Sequence, residues 1–253
     1  MRASSSLETV TRIGFAARGV MYGLIGYLAL KSGRTEDGAG ILDYLDSSGG
    51  RLLLGAMAAG FFAYGIWRLI DAWVDSEHHG SEAKGMAARI GGAVSGLIHL
   101  GLGTLALRLV LDSGGSGGGD SGQSGAATAL SLPGGWLLLI AAAAALALTG
   151  VFQIVKAYRC DFLKTMDGAA KAHPWIRWLG RAGYAARGIV FLVMAVFFFQ
   201  AGREGRSSEA GGLGQALDTL PSALQALVAA GLLLFGLFSF CEARFRRINV
   251  PAG

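Results

Sequence analysis

Arg12-Ile13-Gly14-Phe15-Ala16-Ala17-Arg18-Gly19 and, 169 positions later, Arg181-Ala182-Gly183-Tyr184-Ala185-Ala186-Arg187-Gly188 are near copies of one octamer. Each opens a long apolar stretch, so the unit being copied starts with an arginine set just inside the mouth of a hydrophobic segment. Arg89-Ile90-Gly91-Gly92-Ala93-Val94-Ser95-Gly96 aligns as a third copy and carries Ser95 where the others have Arg18 and Arg187.

Six stretches, 13–30, 52–73, 90–111, 136–158, 182–200 and 223–241, are apolar enough to cross a hydrocarbon layer, which takes roughly 20 helical residues. The 253-residue chain is 53% apolar, 15% charged and has a mean hydropathy of +0.49, which places it with membrane proteins. Backbone polar groups must be paired within lipid, and the segments lack the alternation of barrel strands, so they read as helices. Each copy of the octamer heads two helices, an even number, so all three copies enter the membrane in the same direction. The expected fold is therefore an all-α integral membrane protein: six transmembrane helices forming three parallel helical hairpins with pseudo-three-fold symmetry.

The expected divisions are 1–84 for the N-terminal tail and first hairpin, 85–177 for the second, and 178–253 for the third with the C-terminal tail. Within the second, Gly114 to Gly125 reads as a flexible Gly/Ser-rich outer loop, and the segment before the third hairpin as a basic inner loop. Residues 41–45, 129–132 and 216–220 share a faint echo that predicts short amphipathic helical turns on the outer surface. Residues 1–11 do not form a secretory signal, so the first helix is expected to stay as an uncleaved anchor.

Of the 22 Lys and Arg residues, 16 fall on the side of the N-terminus, which predicts both termini in the cytoplasm of a bacterial plasma (inner) membrane. The net charge of +5 then reflects topology and lipid contact and gives no case for nucleic acid. Cys160 and Cys241 fall at cytoplasmic helix ends, where thiols stay reduced, so no disulfide is expected.

The repeated R-x-G-[FY]-A-A-R-G opening, followed by a Gly-rich helix and a second helix ending in an acid, resembles the bacterial integral membrane family catalogued as domain of unknown function 1206. The resemblance spans about Arg12 to Arg244 and implies a three-hairpin membrane protein; it supplies no reaction.

An arginine inside a membrane helix costs about 2.5 to 3.5 kcal/mol at the centre and less near the ends, so Arg18 and Arg187 should have partners. Gly60, Gly150 and Gly231 are each followed eleven residues later by an acid, Asp71, Asp161 and Glu242. Arg18 with Asp71 and Arg187 with Glu242 are the expected pairs, each closing its own hairpin, while Asp161 lacks its arginine because Ser95 replaced it. Snorkelling of the arginines to lipid phosphates and a substrate or ion site are the alternatives. The three acids end three equivalent helix faces, which point either to the partner helix, the favoured reading, or to the three-fold axis as an acidic ring.

His99 stands where Tyr22 and Phe191 do, and no second histidine follows at i+3 or i+4. A hydrogen-bonded packing role is favoured over a proton relay or metal ligand, and neither metal nor cofactor is expected. Gly19, Gly23 and Gly26, and likewise Gly92 and Gly96, allow close helix contact. Lys164, Lys171, Arg177 and Arg181, with Lys156 and Arg159 nearby, are interleaved with Trp175 and Trp178. Such a segment suits the anionic head groups of the inner leaflet, and positive-inside topology alone explains it equally well.

Phosphate loops, G-x-S-x-G, H-E-x-x-H and paired CxxC motifs are missing. The favoured role is a non-enzymatic scaffold, or a protein that binds membrane lipids, another membrane protein or a second copy of itself. The alternative is a small-solute or ion transporter or channel along the three-fold axis, lined by Asp71, Asp161, Glu242 and His99.

Overall fold

Long apolar segments with no water to bond must close their own backbone hydrogen bonds, and here six of them do so as helices. They are α1 (Arg2–Ser32), α3 (Arg51–Val74), α4 (Ala83–Leu111), α6 (Gly135–Arg159), α8 (Pro174–Glu204) and α10 (Ser222–Phe245). Each contains a stretch long and apolar enough to span a membrane. Shorter helices α2 (Gly38–Ser47), α5 (Ser121–Leu130), α7 (Gly168–Lys171) and α9 (Leu213–Asp218) lie in the connections. The computed structural model describes residues 2–33, 35–36, 38–47, 50–75, 77, 79–111, 121–171 and 173–247, and among these there is no β-strand.

The three repeat openings lie on one face of the molecule. Arg12 donates to the carbonyls of Ala243 and Arg244 at the end of α10, and Arg89 donates to those of Ala72 and Trp73 at the end of α3. The segment after α6 pairs Met166 with Arg246 on the same side. We call this the terminal face.

Around the ring, the second helix of each repeat packs against the first helix of the next: α3 on α4, α6 on α8, and α10 on α1. Each of these contacts is a crossing of two glycines. A Cβ on Gly65 would lie 2.9 Å from the Gly96 carbonyl oxygen, one on Gly150 2.9 Å from that of Gly188, and one on Gly19 3.0 Å from that of Gly236. Any side chain at these points would push the backbones apart, as expected for small-residue contacts in lipid.

Within repeats, α1 packs on α3 and α8 on α10, whereas α4 and α6 share no packed interface. The sequence explains the difference. Gly60 closes on Ala17 and Gly231 on Ala186, with a Cβ at either glycine falling 2.5 Å from the alanine methyl. The second repeat has Val94 at the alanine position, and Gly91, the counterpart of Gly14 and Gly183, meets nothing. The pseudo-three-fold ring is therefore open on one side. Only 22% and 17% of the apolar windows of α4 and α6 are buried, against 56% and 50% for α1 and α3.

Opposite the terminal face, α2 and α9 tuck into the ring. Ile41, Leu42, Ala216 and Leu217 are wholly buried, so these amphipathic turns pack their apolar faces into the bundle at that end. Residues 121–125, expected in a loop, form the first turn of α5, which docks Ala126 against Leu139, Ala201 and Ala210; residues 114–120 of that run lie outside the described ones. The main core runs from Ile41 and Leu54 through Phe61 and Tyr22 to Phe235, Phe238 and Phe162.

Candidate functional site

Arg18 lies two turns inside the span of α1 and is buried. Its Nη2 pairs with Glu242 of the third repeat, Nη1 donates to the Tyr64 hydroxyl at 3.1 Å, and Nε donates to Ser239 Oγ at 3.2 Å. Its guanidinium also sits 4.8 Å from the Phe15 ring centre and 5.1 Å from that of Phe235. The expected partner within the hairpin, Asp71, is not the one used. The Gly19–Gly236 crossing seats the polar face of α1 on α10, so the pair joins the first repeat to the third.

From Glu242 the charges continue toward the terminal face. Arg246, one turn on, donates to Glu242 at 2.7 Å and to Glu77 at 2.5 Å, and packs over the rings of Phe15 and Trp67. Asp71 accepts the Glu77 backbone N–H at 2.9 Å and lies 3.5 Å from Arg68 and 3.7 Å from His79. Arg18, Arg68 and Arg246 thus face Asp71, Glu77 and Glu242, three cations against three anions. Burying any one of these charges alone would cost several kcal/mol, and each is instead matched and hydrogen-bonded.

Burial opposes ionisation of Glu77, but the Arg246 guanidinium outweighs it and holds that carboxyl below its usual range. Burial likewise works against the charge of Arg246, while Glu77 and Glu242 hold its proton more tightly than usual. Asp71, Glu77 and His79 present metal-ligand atoms within 4.8 Å of one another. Both carboxylates already face arginines, so the cluster is balanced without an ion.

The second repeat departs from the expected register. Gly150 makes the same inter-repeat crossing as Gly65 and Gly236, and so is not the counterpart of Gly60 and Gly231. The helix ends agree: α3 stops at Asp75 (φ 56°) and α6 at Cys160 (φ 55°), both left-handed, and each ten residues after its crossing glycine. Lys156, six residues after Gly150, therefore holds the place of Asp71 and Glu242. Asp161 lies beyond the end of α6 in a 3-10 turn, partly exposed and 2.5 Å from Lys164, whose hydrogen bond lowers its pKa.

Arg187, expected to meet Glu242, stacks instead on three rings. Its guanidinium lies 4.5 Å from the Phe235 centre, 5.0 Å from Tyr22 and 5.2 Å from Phe191. Its buried Nε has no acceptor. Lys156 Nζ lies 4.5 Å over the Tyr184 ring.

His99 Nδ1 donates to the Ser95 carbonyl at 2.7 Å, and the ring packs against Phe61 and Tyr64. Ser95 itself stands beside the Gly96 crossing. Pro174 opens α8, and Trp175 and Trp178 that follow are exposed. Arg177 and Lys171 are exposed beside them, and Arg181 stacks 5.0 Å over Trp178. Trp73 and Tyr158, also at helix ends on this side, are 86% and 79% exposed, so the terminal face carries a set of exposed aromatic side chains. Cys160 and Cys241 are buried and free.

Tyr64, Arg68, Glu77, His79, Ser239 and Arg246 went unassigned in the sequence, as did the place of Lys156 over Tyr184. Arg246 was within reach, since it follows Glu242 by one helical turn.

A relative is known in Bacillus subtilis (strain 168), "Uncharacterized protein YxxB", 29% identical over 251 residues that cover 94% of this chain and 90% of the relative. No solved structure matches the chain. A family match falls on residues 13–75, 90–159 and 182–246, one segment per repeat, and its first two segments end at or beside Asp75 and Cys160, the residues that fix the register. This six-helix membrane protein, built from three copies of one hairpin, belongs to the family described as Domain of Unknown Function (DUF1206).

Proposed function

We propose that the protein is a non-enzymatic component of the bacterial plasma membrane that binds lipid or another membrane protein, with both termini in the cytoplasm. The observation that carries this reading is how the ring is filled. Buried rings and a charge-neutral network occupy its terminal end, and α2 and α9 plug the opposite end. The lining required by a transport pathway draws no support from the geometry: Asp71 and Glu242 face arginines, Asp161 lies in a loop, and His99 is packed between rings. The exposed Trp73, Trp175 and Trp178, beside a basic segment, support an inner-leaflet contact.

Native mass spectrometry of the detergent-extracted protein tests this. Retained anionic lipid or a co-purifying membrane protein is expected. Ion or solute flux through the wild-type protein in proteoliposomes, with nothing retained, would replace the binding reading with transport. A C-terminal green fluorescent protein fusion should fluoresce, since it would fold in the cytoplasm; a dark fusion alongside an active C-terminal alkaline phosphatase fusion would reverse the orientation.

A further inference from the structure

The three inter-repeat interfaces can be compared position by position, and one of them does not balance. Where α10 meets α1, the positions hold Arg18, Ser239 and Glu242, a cation facing an anion. Where α3 meets α4, Ser95 has replaced the arginine, but Arg68 stands three residues after the crossing Gly65 and Asp71 six after it, and they lie 3.5 Å apart. Where α6 meets α8, the same positions hold Arg187, Gln153 and Lys156. That interface has two cations and an amide, and no acid. Among the described residues no carboxylate lies within ion-pair distance of Arg187 or Lys156, though Glu242 and Asp161 act on the Lys156 charge from further off; both cations rest on aromatic rings, and the Arg187 Nε, like those of Arg68 and Arg246, is buried without an acceptor.

This interface also flanks the open side of the ring. α6 packs on α8 but not on α4, so the side where Gly91, Val94 and α6 fail to meet faces the surrounding lipid. Resting on the lipid-binding reading above, we propose that this interface is a binding site for the anionic headgroup of a membrane lipid. The lipid enters between α4 and α6 and sets its phosphate against Arg187 and Lys156. Phosphate oxygens supply the acceptors that a guanidinium lacks here and can be held in a bidentate manner. Depth selects a lipid over a soluble anion. Arg187 lies six residues beyond Arg181, about 9 Å of helix rise further in, where an anion arriving through the seam does so on an acyl chain. Exposed apolar side chains of α4 and α6, among them Val94, Leu97, Leu148 and Val151, would take that chain.

The test uses the full protein in phosphatidylcholine vesicles, with spin-labelled phosphatidylglycerol or phosphatidylcholine as probe, reading the motionally restricted fraction. Wild type should prefer the anionic probe, and Arg187→Gln or Lys156→Gln should each lower that preference by about fivefold, the effect of one cation at a membrane surface. The double surface variant Lys164→Gln/Lys171→Gln removes two cations of the basic belt and should lower the preference by less than either single variant does. Lys156→Glu builds in the missing acid, so it should raise thermal stability while abolishing the preference, a result that misfolding cannot mimic. The site is overturned if the preference survives both Gln variants and falls in the surface variant, which leaves lipid binding by the basic belt intact. Inorganic phosphate stabilising wild type as strongly as phosphatidylglycerol does would overturn the lipid as occupant. Absence of any anionic preference in wild type would remove the site and the lipid-binding reading together.

Discussion

Glu242 sits between Arg18 and Arg246, so removing its charge strands two buried guanidiniums at once. Glu242→Gln and Arg18→Gln should each destabilise the protein by about 3 to 5 kcal/mol, the usual result of leaving one partner of a buried pair behind. A double-mutant cycle on thermal unfolding in detergent should show that Arg18 and Glu242 couple by more than about 1 kcal/mol, and that Arg18 and Asp71, linked only through Glu242, Arg246 and Glu77, couple less. Stronger coupling of Arg18 to Asp71 than to Glu242 would restore the pairing within the hairpin. The sequence marked Arg18, Asp71 and Glu242 as intramembrane charges but paired Arg18 with Asp71 inside its own hairpin, because both acids lie at similar depth on neighbouring helices and only the glycine crossing selects Glu242. Acid should also act here. The Glu77 carboxyl is held below its unfolded value of about 4.3, so its contribution is complete above that pH and is lost as pH falls through the lower folded value. Melting temperature should drop as pH is lowered below about 4, and Glu77→Gln should be less stable at neutral pH and flatter in acid.

Equivalent glycines of the three repeats differ at the level of elements. A Cβ at Gly14 would lie 2.5 Å from the Tyr64 Cβ and one at Gly183 2.6 Å from that of Phe235, whereas one at Gly91 would meet nothing. Gly91→Ala should therefore be neutral or stabilising by up to about 1 kcal/mol from helix propensity, and Gly14→Ala and Gly183→Ala should destabilise by about 1 to 3 kcal/mol from overpacking. Equal effects at all three sites, read as shifts in melting temperature, would mean that α4 and α6 pack after all. The six spanning helices were legible because length and apolarity suffice to find them. The register of α6 was not. Its run of Ala141 to Ala145 leaves Gly150 as a lone mark, and the eleven-residue spacing to Asp161 matched Gly60 to Asp71 by coincidence. The burial of α2 and α9 was hidden for a different reason, since a helix of ten residues or fewer shows an amphipathic face without showing what covers it.

For the whole molecule, duplication has left two interfaces that neutralise themselves and one that does not, and the uncompensated one lies beside the open side of the ring. The triplication and the common direction of the repeats followed from the octamer alone, because an even number of crossings per copy leaves no other arrangement. The opening was written in Val94 as well, but only the observed contact of Ala17 with Gly60 reveals what an alanine at that position does. Cysteine cross-linking measures the opening directly, after Cys160 and Cys241 are replaced by alanine. The pairs Ala17→Cys/Gly60→Cys and Ala186→Cys/Gly231→Cys, whose Cβ positions fall 2.5 Å apart and need to part by only about 1 Å to reach disulfide geometry, should form disulfides in membranes under mild oxidation, and Val94→Cys/Ala145→Cys, their counterpart in the second repeat, should not. Efficient cross-linking of all three pairs would mean a closed ring and would contradict the account.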